Sequence, residues 1–405
     1  MKRLWLAAPL ASIALAQPTL TLQEALSRAL AAHPLLAASE HRVAASEGLL
    51  RQAALRPNPA FSLQAENVRF TGPPPFRYWS ATDTYALVSQ TFETAGKRER
   101  RVEVAGAGRR RAELERELLR RQIAARVKQA YWAAAGALQI HDVLVETSKN
   151  FELTVDYHRT RVREGAMAEA DLLRVQLESE RIRLAATAAL IDAERARIAL
   201  FREMGASAIP AAVRFEPVAL DQVAAPEADV PTALERRVEV RLARAALEQA
   251  EASYRLQLAS SRPDLTGLAG YKRTEGLDTL VAGFSLNLPL RNRNQGNIAA
   301  AAAEVRAARA ELASAEALVR AEVEAAARDF AIRRRQLAES LRPMLEQAAE
   351  SARIAHAAYR EGGWDLLRLL DAERLRLETE LVYYRALAEL RQSAAALETA
   401  MGVEP

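Results

Sequence analysis

The segment 280–290 reads LVAGFSLNLPL. Leu280, Ala282, Phe284, Leu286, Leu288 and Leu290 alternate with Val281, Gly283, Ser285, Asn287 and Pro289, so a β-strand here has one apolar face and one small or polar face. Phe61, Leu63 and Ala65 alternate with Ser62, Gln64 and Glu66 in the same way. In a soluble domain such a strand lies half-buried over a core. In a transmembrane barrel it faces lipid outside and water inside.

The rest of the chain decides between these environments. Lys2 and Arg3 precede an apolar run from Leu4 to Leu15, and Ala14-Leu15-Ala16 supplies a small-x-small cleavage pattern, so residues 1–16 are expected to be a secretory signal. That run is well short of the roughly 20 residues that cross a bilayer as a helix, and no later stretch approaches that length without charges. The chain has no cysteine, which excludes disulfides, thiolate metal sites and a lipid-modified N-terminal cysteine. Any membrane attachment must therefore come from the strands. Removing the two basic residues of 1–16 takes the net charge from +4 to 4 − 2 = +2, which leaves no electrostatic claim on nucleic acid.

Four strands are expected, at about 59–69, 80–92, 264–274 and 278–290. Between the first two, FTGPPPFRYW at 70–79 carries Phe76, Tyr78 and Trp79, which suit the aromatic belt of a membrane interface or a plain hydrophobic loop contact. Transmembrane barrels need about eight strands or more, because an open edge in lipid leaves backbone groups unpaired at several kcal/mol each. Two chains would supply eight strands, a barrel filled by its own side chains. Three would supply twelve and leave a lumen, so a duct favours the trimer.

The chain also repeats itself. Residues 162–205 align without a gap on 359–402: both segments carry Arg-Glu-Gly after their first residue, share Leu-Leu at 172–173 and 369–370, and end in Met-Gly. Each half reads helix, two strands, very long helix, short break, long helix. The first repeat is expected at 17–205 with a helical hairpin over about 97–205, and the second at 232–405 with a hairpin over about 296–402. A linker at 206–231 with Pro210, Pro217, Pro226 and Pro231 separates them. No proline falls between Lys97 and Val162, and a helix of that length extends about 100 Å. Apolar residues recur every seven at Leu177, Leu184, Ile191 and Ile198, and again at Val305, Leu312, Val319 and Ala326, which is coiled-coil spacing. Pro343 is expected to kink or break the second long helix.

The order and duplication of LRPNP at 55–59, ETAGKRERR at 93–101, NLPLRNRNQGNIAAA at 287–301, VREGAMAEADLL at 162–173 and YREGGWDLLRLLD at 359–371 resemble the TolC-like outer-membrane efflux family. The resemblance covers essentially all of the chain after the expected signal. It implies a mainly α protein with a β-barrel part: a homotrimer with a 12-stranded barrel in outer-membrane lipid and a 12-helix barrel reaching into the periplasm. It implies as partners a periplasmic adaptor and an inner-membrane pump of RND, ABC or MFS type. The cargo could be metal ions, drugs, other small molecules or proteins.

By the same resemblance the two glycine breaks are periplasmic hairpin tips that meet the adaptor, formed by Gly165, Ala166 and Met167 in one half and Gly362, Gly363 and Trp364 in the other. Asp171, Tyr359, Arg368 and Asp371 become gate candidates, and glycine suits the positive φ that a tight turn demands. Arg368 departs from the acidic residue often found at the gate, and pairing with Asp371 at i, i+3 is an equal reading for it. Trp364 is an adaptor anchor if exposed and a packing residue if buried between helices.

The five histidines form no metal-ligand spacing and read as surface or packing positions. No nucleophile elbow, phosphate loop or dinucleotide fingerprint appears, so neither an enzyme nor a cofactor is expected. A periplasmic adaptor or a structural coiled-coil protein is the alternative, but the first should carry one hairpin rather than two, and the second has no use for paired strands.

Overall fold

The computed structural model describes residues 19–73, 75–216 and 223–404. The expected signal 1–16 lies outside the described residues, as do 217–222 of the linker and Pro74 of the aromatic loop. The chain divides into two compact units, one of residues 35–119 and 231–321, the other of 1–34, 120–230 and 322–405. The described elements, in chain order, are β1 (Thr19–Leu20), α1 (Leu22–Ala32), α2 (Pro34–Ala53), β2 (Ala60–Glu66), α3 (Tyr78–Ala81), β3 (Asp83–Phe92), α4 (Lys97–Arg163), α5 (Glu169–Glu203), β4 (Arg214–Phe215), α6 (Val230–Arg236), α7 (Val238–Ser260), β5 (Leu265–Thr274), β6 (Leu277–Leu286), α8 (Gln295–Gln336), α9 (Arg342–Arg360) and α10 (Leu366–Ala400).

The unit of residues 35–119 and 231–321 contains an antiparallel sheet in the order β2-β3-β5-β6. Each half of the chain contributes one pair, and the halves join where β3 runs against β5 from Thr84↔Arg273 to Phe92↔Leu265. Gly270 sits at this seam because a Cβ there would lie 2.2 Å from the Ala86 carbonyl oxygen. The turn from β5 to β6 is the two-residue Glu275-Gly276, both at positive φ, whose twist matches that of the flanking strands. Leu280 and Phe284 are 89% and 79% exposed, and Phe61 and Leu63 are exposed as well, so the apolar face covers no core within the chain. Among the described residues one chain therefore has one open four-stranded sheet, not a closed barrel, with β2 and β6 as its edges.

Three strands are shorter than expected, for local reasons: β2 ends at Glu66, ahead of Asn67 at positive φ. A helical turn at Tyr78–Ala81 occupies the start of the segment expected at 80–92. Strand β6 stops at Leu286, ahead of Pro289, which has no N–H to give a ladder, so Leu288 and Leu290 lie beyond it. Where β3 passes into α4, Asp264 accepts from the Thr94 N–H (2.9 Å) and from Lys97 Nζ (2.7 Å), and Arg101 pairs with Glu93.

In the other unit, β1 and β4 form a short parallel pair. The fully buried Tyr131 donates its hydroxyl to the Leu20 carbonyl (2.9 Å) and packs edge-on against Trp132 and Phe215. Lys128 and Glu398 form an ion pair at 2.7 Å. The break expected at Pro343 appears as a π-helical turn at Leu337–Leu341 followed by α9, with Pro343 in the first turn of the new helix. Proline has no N–H for the carbonyl four residues back, and the wider turn takes up the register.

The two heptad series differ. Val305 and Val319 are buried, whereas Leu177, Leu184, Ile191 and Ile198 are exposed along α5, from 71% at Leu177 to 47% at Ile198. Within the chain α5 buries a different stripe, Val175, Ile182, Ala186, Ala189 and Ala193. The heptad seam expected of the first hairpin is thus unpartnered in a single chain.

Candidate functional site

The two glycine breaks have the same backbone. Gly165 (φ +69°) follows α4 and Gly362 (φ +79°) follows α9. After each, the next N–H reaches back to an earlier carbonyl: Ala166 to Arg161 and Gly363 to Ala358, both at 2.9 Å. This is the helix-ending motif in which a residue of left-handed conformation ties off the last free carbonyls, and glycine enters it without a Cβ penalty.

The returning helices start differently. At α10 the Asp365 carboxylate accepts the Arg368 N–H (2.9 Å), a side-chain N-cap. At α5 the N-cap is Ala168, which has no such group, and Glu169 and Asp171 in the first turn complement the helix dipole instead.

Both tips share one apolar cluster. Val155 of α4, Val175 of α5, Ala355 of α9 and Leu366 and Leu369 of α10 are buried together, and Met167, Tyr359 and Trp364 pack on them half-buried. Trp364 is half-buried: it packs on the cluster and also lines a groove with Pro343, Glu346, Gln347, Glu350, Ser351 and Ile354. Gly165, Ala166, Gly362 and Gly363 are exposed.

The gate candidates separate. Asp171 pairs with Arg174 on its own helix (3.7 Å). Arg368 places its guanidinium 5.9 Å from the centre of the Trp364 ring, and among the described residues it forms no ion pair with the exposed Asp371, against the i, i+3 reading. Tyr359 is held by a residue that sequence reasoning had set aside. Its hydroxyl lies 2.9 Å from Nε2 of His158, and the two rings stack at 5.8 Å. Burial pushes the Tyr359 phenol above its usual range, and Arg161 and Asp171 act on it in opposite directions. No motif could reveal a pair 201 positions apart.

Phe76, Tyr78 and Trp79 form a ladder of edge-on rings, and Arg273 lies 5.4 Å from the Trp79 ring. All three are exposed. Among the described residues, no group of His, Asp and Glu could hold a metal ion, and no helix is long and apolar enough to cross a membrane.

Comparison with known proteins accounts for this architecture. The sequence profile described as "Outer membrane efflux protein" matches residues 25–206 and again 230–403, one match for each repeat. The cobalt-zinc-cadmium resistance protein CzcC of Cupriavidus metallidurans is 26% identical over 395 residues, covering 95% of this chain and 90% of that protein. Among solved structures, a membrane protein from Pseudomonas aeruginosa matches with a TM-score of 0.80 at 20% identity, over 94% of this chain and 90% of the other. The CmeC outer membrane channel of Campylobacter jejuni matches with a TM-score of 0.80 at 16% identity, over 94% and 85%. With both repeats matched, the chain belongs to the outer membrane efflux protein family and acts as an outer-membrane exit duct.

Proposed function

We propose that three copies of this chain close a 12-stranded barrel in the outer membrane and a 12-helix tube in the periplasm, and that the duct exports divalent metal cations. The observation that carries the reading is the four-stranded sheet with an exposed apolar face and open edges at β2 and β6. In lipid each unpaired edge group costs several kcal/mol, so the edges must find other copies. Two copies would give a barrel plugged by side chains, and three leave a lumen. The exposed Leu177–Ile198 stripe supports the same assembly, since a tube of helices gives each helix neighbours on both sides.

The metal class rests on the near full-length similarity to a protein named for cobalt, zinc and cadmium resistance. The tips around Gly165 and Gly362 meet a periplasmic adaptor, with the half-exposed Trp364 and its groove as the anchor, and the adaptor links the duct to an inner-membrane pump of RND, ABC or MFS type. Asp171, Tyr359, Arg368 and Asp371 line the narrow end. The duct itself needs no cofactor, since passage takes its energy from the pump.

Unheated outer-membrane fractions should show a heat-modifiable band that crosslinks to a trimer. A strain lacking the chain should lose resistance to cobalt, zinc or cadmium while keeping its tolerance of dyes and detergents. Recovery as a soluble periplasmic monomer would refute the duct assembly; a drug-only phenotype would refute the metal assignment.

A further inference from the structure

The register of the sheet sorts the charges at one of its ends. The four connections to α2, α4, α7 and α8 leave one end of the sheet, and both strand-to-strand connections, residues 67–82 and the Glu275-Gly276 turn, lie at the other. In the proposed assembly the helices are periplasmic, so the hairpin end is the outer one. Cross-strand partners share a face. The Phe284 face therefore rises through the row Leu63, Ala86, Tyr271 and Leu280 to a last row of Ala65, Thr84, Arg273 and Asp278. Among the described residues of the four strands, Arg273 and Asp278 are the only charged side chains on this face, and Glu66, Asp83 and Lys272 belong to the other. Arg273 is held in place there. Its guanidinium lies 5.4 Å from the centre of the exposed Trp79 ring and 3.6 Å from the Asp278 carboxylate, which also accepts the Tyr271 hydroxyl at 2.5 Å. A guanidinium carries five N–H donors in one plane, so a ring on its face and one carboxylate at its edge leave donors free.

We propose that Arg273 and Trp79 form a headgroup site for a phosphorylated lipid of the outer leaflet. The guanidinium binds the lipid phosphate, and the rings of Trp79, Tyr78 and Phe76 cover the junction of headgroup and acyl chain, where amphipathic aromatics reside. The inference rests on the reading that the Phe284 face meets lipid. The level of the site agrees with it: Asp278 lies eight residues from Leu286 on β6, about 27 Å along the strand and roughly 20 Å in height at a barrel's usual tilt, against an apolar band about 25 Å tall. A row at that boundary stands among headgroups, whose anionic group is phosphate, and arginine meets phosphate with two parallel N–H donors. The charges on the two faces suit this occupant. Glu66 and Asp83 are on the lumen side of the sheet, and Asp278, the one acid of the lipid side, is engaged by Arg273 and Tyr271. Asp278 and Trp79 also hold the guanidinium ready, which limits the side-chain entropy lost on binding.

The test uses the full-length oligomer in dodecyl maltoside, with bisphosphorylated lipid A as the probe. Native mass spectrometry counts bound lipid as lipid A is titrated against excess phosphatidylcholine, for the wild type, Arg273→Gln, Trp79→Leu and Lys272→Gln, the last removing the neighbouring cation of the opposite face. The wild type should hold one lipid A per chain. Arg273→Gln should bind it about tenfold more weakly, the scale of one charge-assisted contact, Trp79→Leu severalfold more weakly, and Lys272→Gln like the wild type. Inorganic phosphate in molar excess should not displace the lipid. Equal binding by the wild type and Arg273→Gln, or an equal loss from Lys272→Gln, would overturn the site, and displacement by inorganic phosphate would make it a site for the free ion instead. Should Arg273→Gln fail to assemble, Trp79→Leu decides, since unchanged binding there overturns the proposal. The underlying reading is checked separately in nanodiscs of phosphatidylcholine with brominated acyl chains, which should quench the indole introduced by Phe284→Trp. Absence of quenching refutes the lipid-facing sheet itself; quenching together with unaltered binding by Arg273→Gln refutes the headgroup site alone.

Discussion

At the scale of single residues, this chain puts side chains with special demands where helices end. Gly165 and Gly362 hold the left-handed conformation that turns each hairpin, and their equivalence was legible because the repeat aligns them. His33 closes α1 by donating its N–H to the Ala29 carbonyl at 3.0 Å. Burial holds its imidazole below the usual value of 6.5; Arg126 adds to the effect and Glu203 opposes it. The unfolded chain therefore binds the proton more readily than the native one, and stability present above about pH 6.5 is lost as pH falls through the lower native value. The thermal midpoint of the wild type should fall on acidification more steeply than that of His33→Gln. Parallel pH profiles would show that His33 does not contribute. Arg368 teaches the converse: i, i+3 spacing makes an ion pair with Asp371 available, yet the guanidinium goes to the Trp364 ring, because an exposed ion pair is worth little and an aromatic face competes with it.

At the scale of elements, periodicity revealed the helices but not which stripe each one buries. Both heptad series have the same spacing, and only Val305 and Val319 of the second are covered within the chain. In the proposed tube the first series would meet another helix. Leu184→Lys combined with Ile191→Lys should reduce the trimer recovered from membranes, at a cost on the order of several kcal/mol per buried charge, without changing the helical circular dichroism of the chain. A normal trimer yield would show that this stripe faces solvent or cargo instead. The π-helical turn at Leu337–Leu341 shows the limit in another way. Proline announced a break, but whether the helix bends, ends or widens depends on Leu337 and Leu341, which are held in the core on either side of it.

For the whole molecule, a face rather than a residue identifies the solvent. If the Phe284 face meets lipid, Phe284→Arg should cost about 2–4 kcal/mol near the midplane of the membrane and lower the heat-modifiable fraction in outer membranes. Ser285→Arg, on the opposite face of the same strand, should be tolerated; equal losses from both would mean that the faces are not divided this way. The duplication, the long helices, the glycine-marked tips and the alternating strands were legible in the chain alone, because each rests on local spacing along a regular element. It takes the folded chain to show that β3 pairs with β5 across the two halves, that α5 keeps an apolar stripe uncovered, and that His158 meets Tyr359. Those are choices of partner between residues far apart in the chain, and nothing in the local period of either one specifies the other.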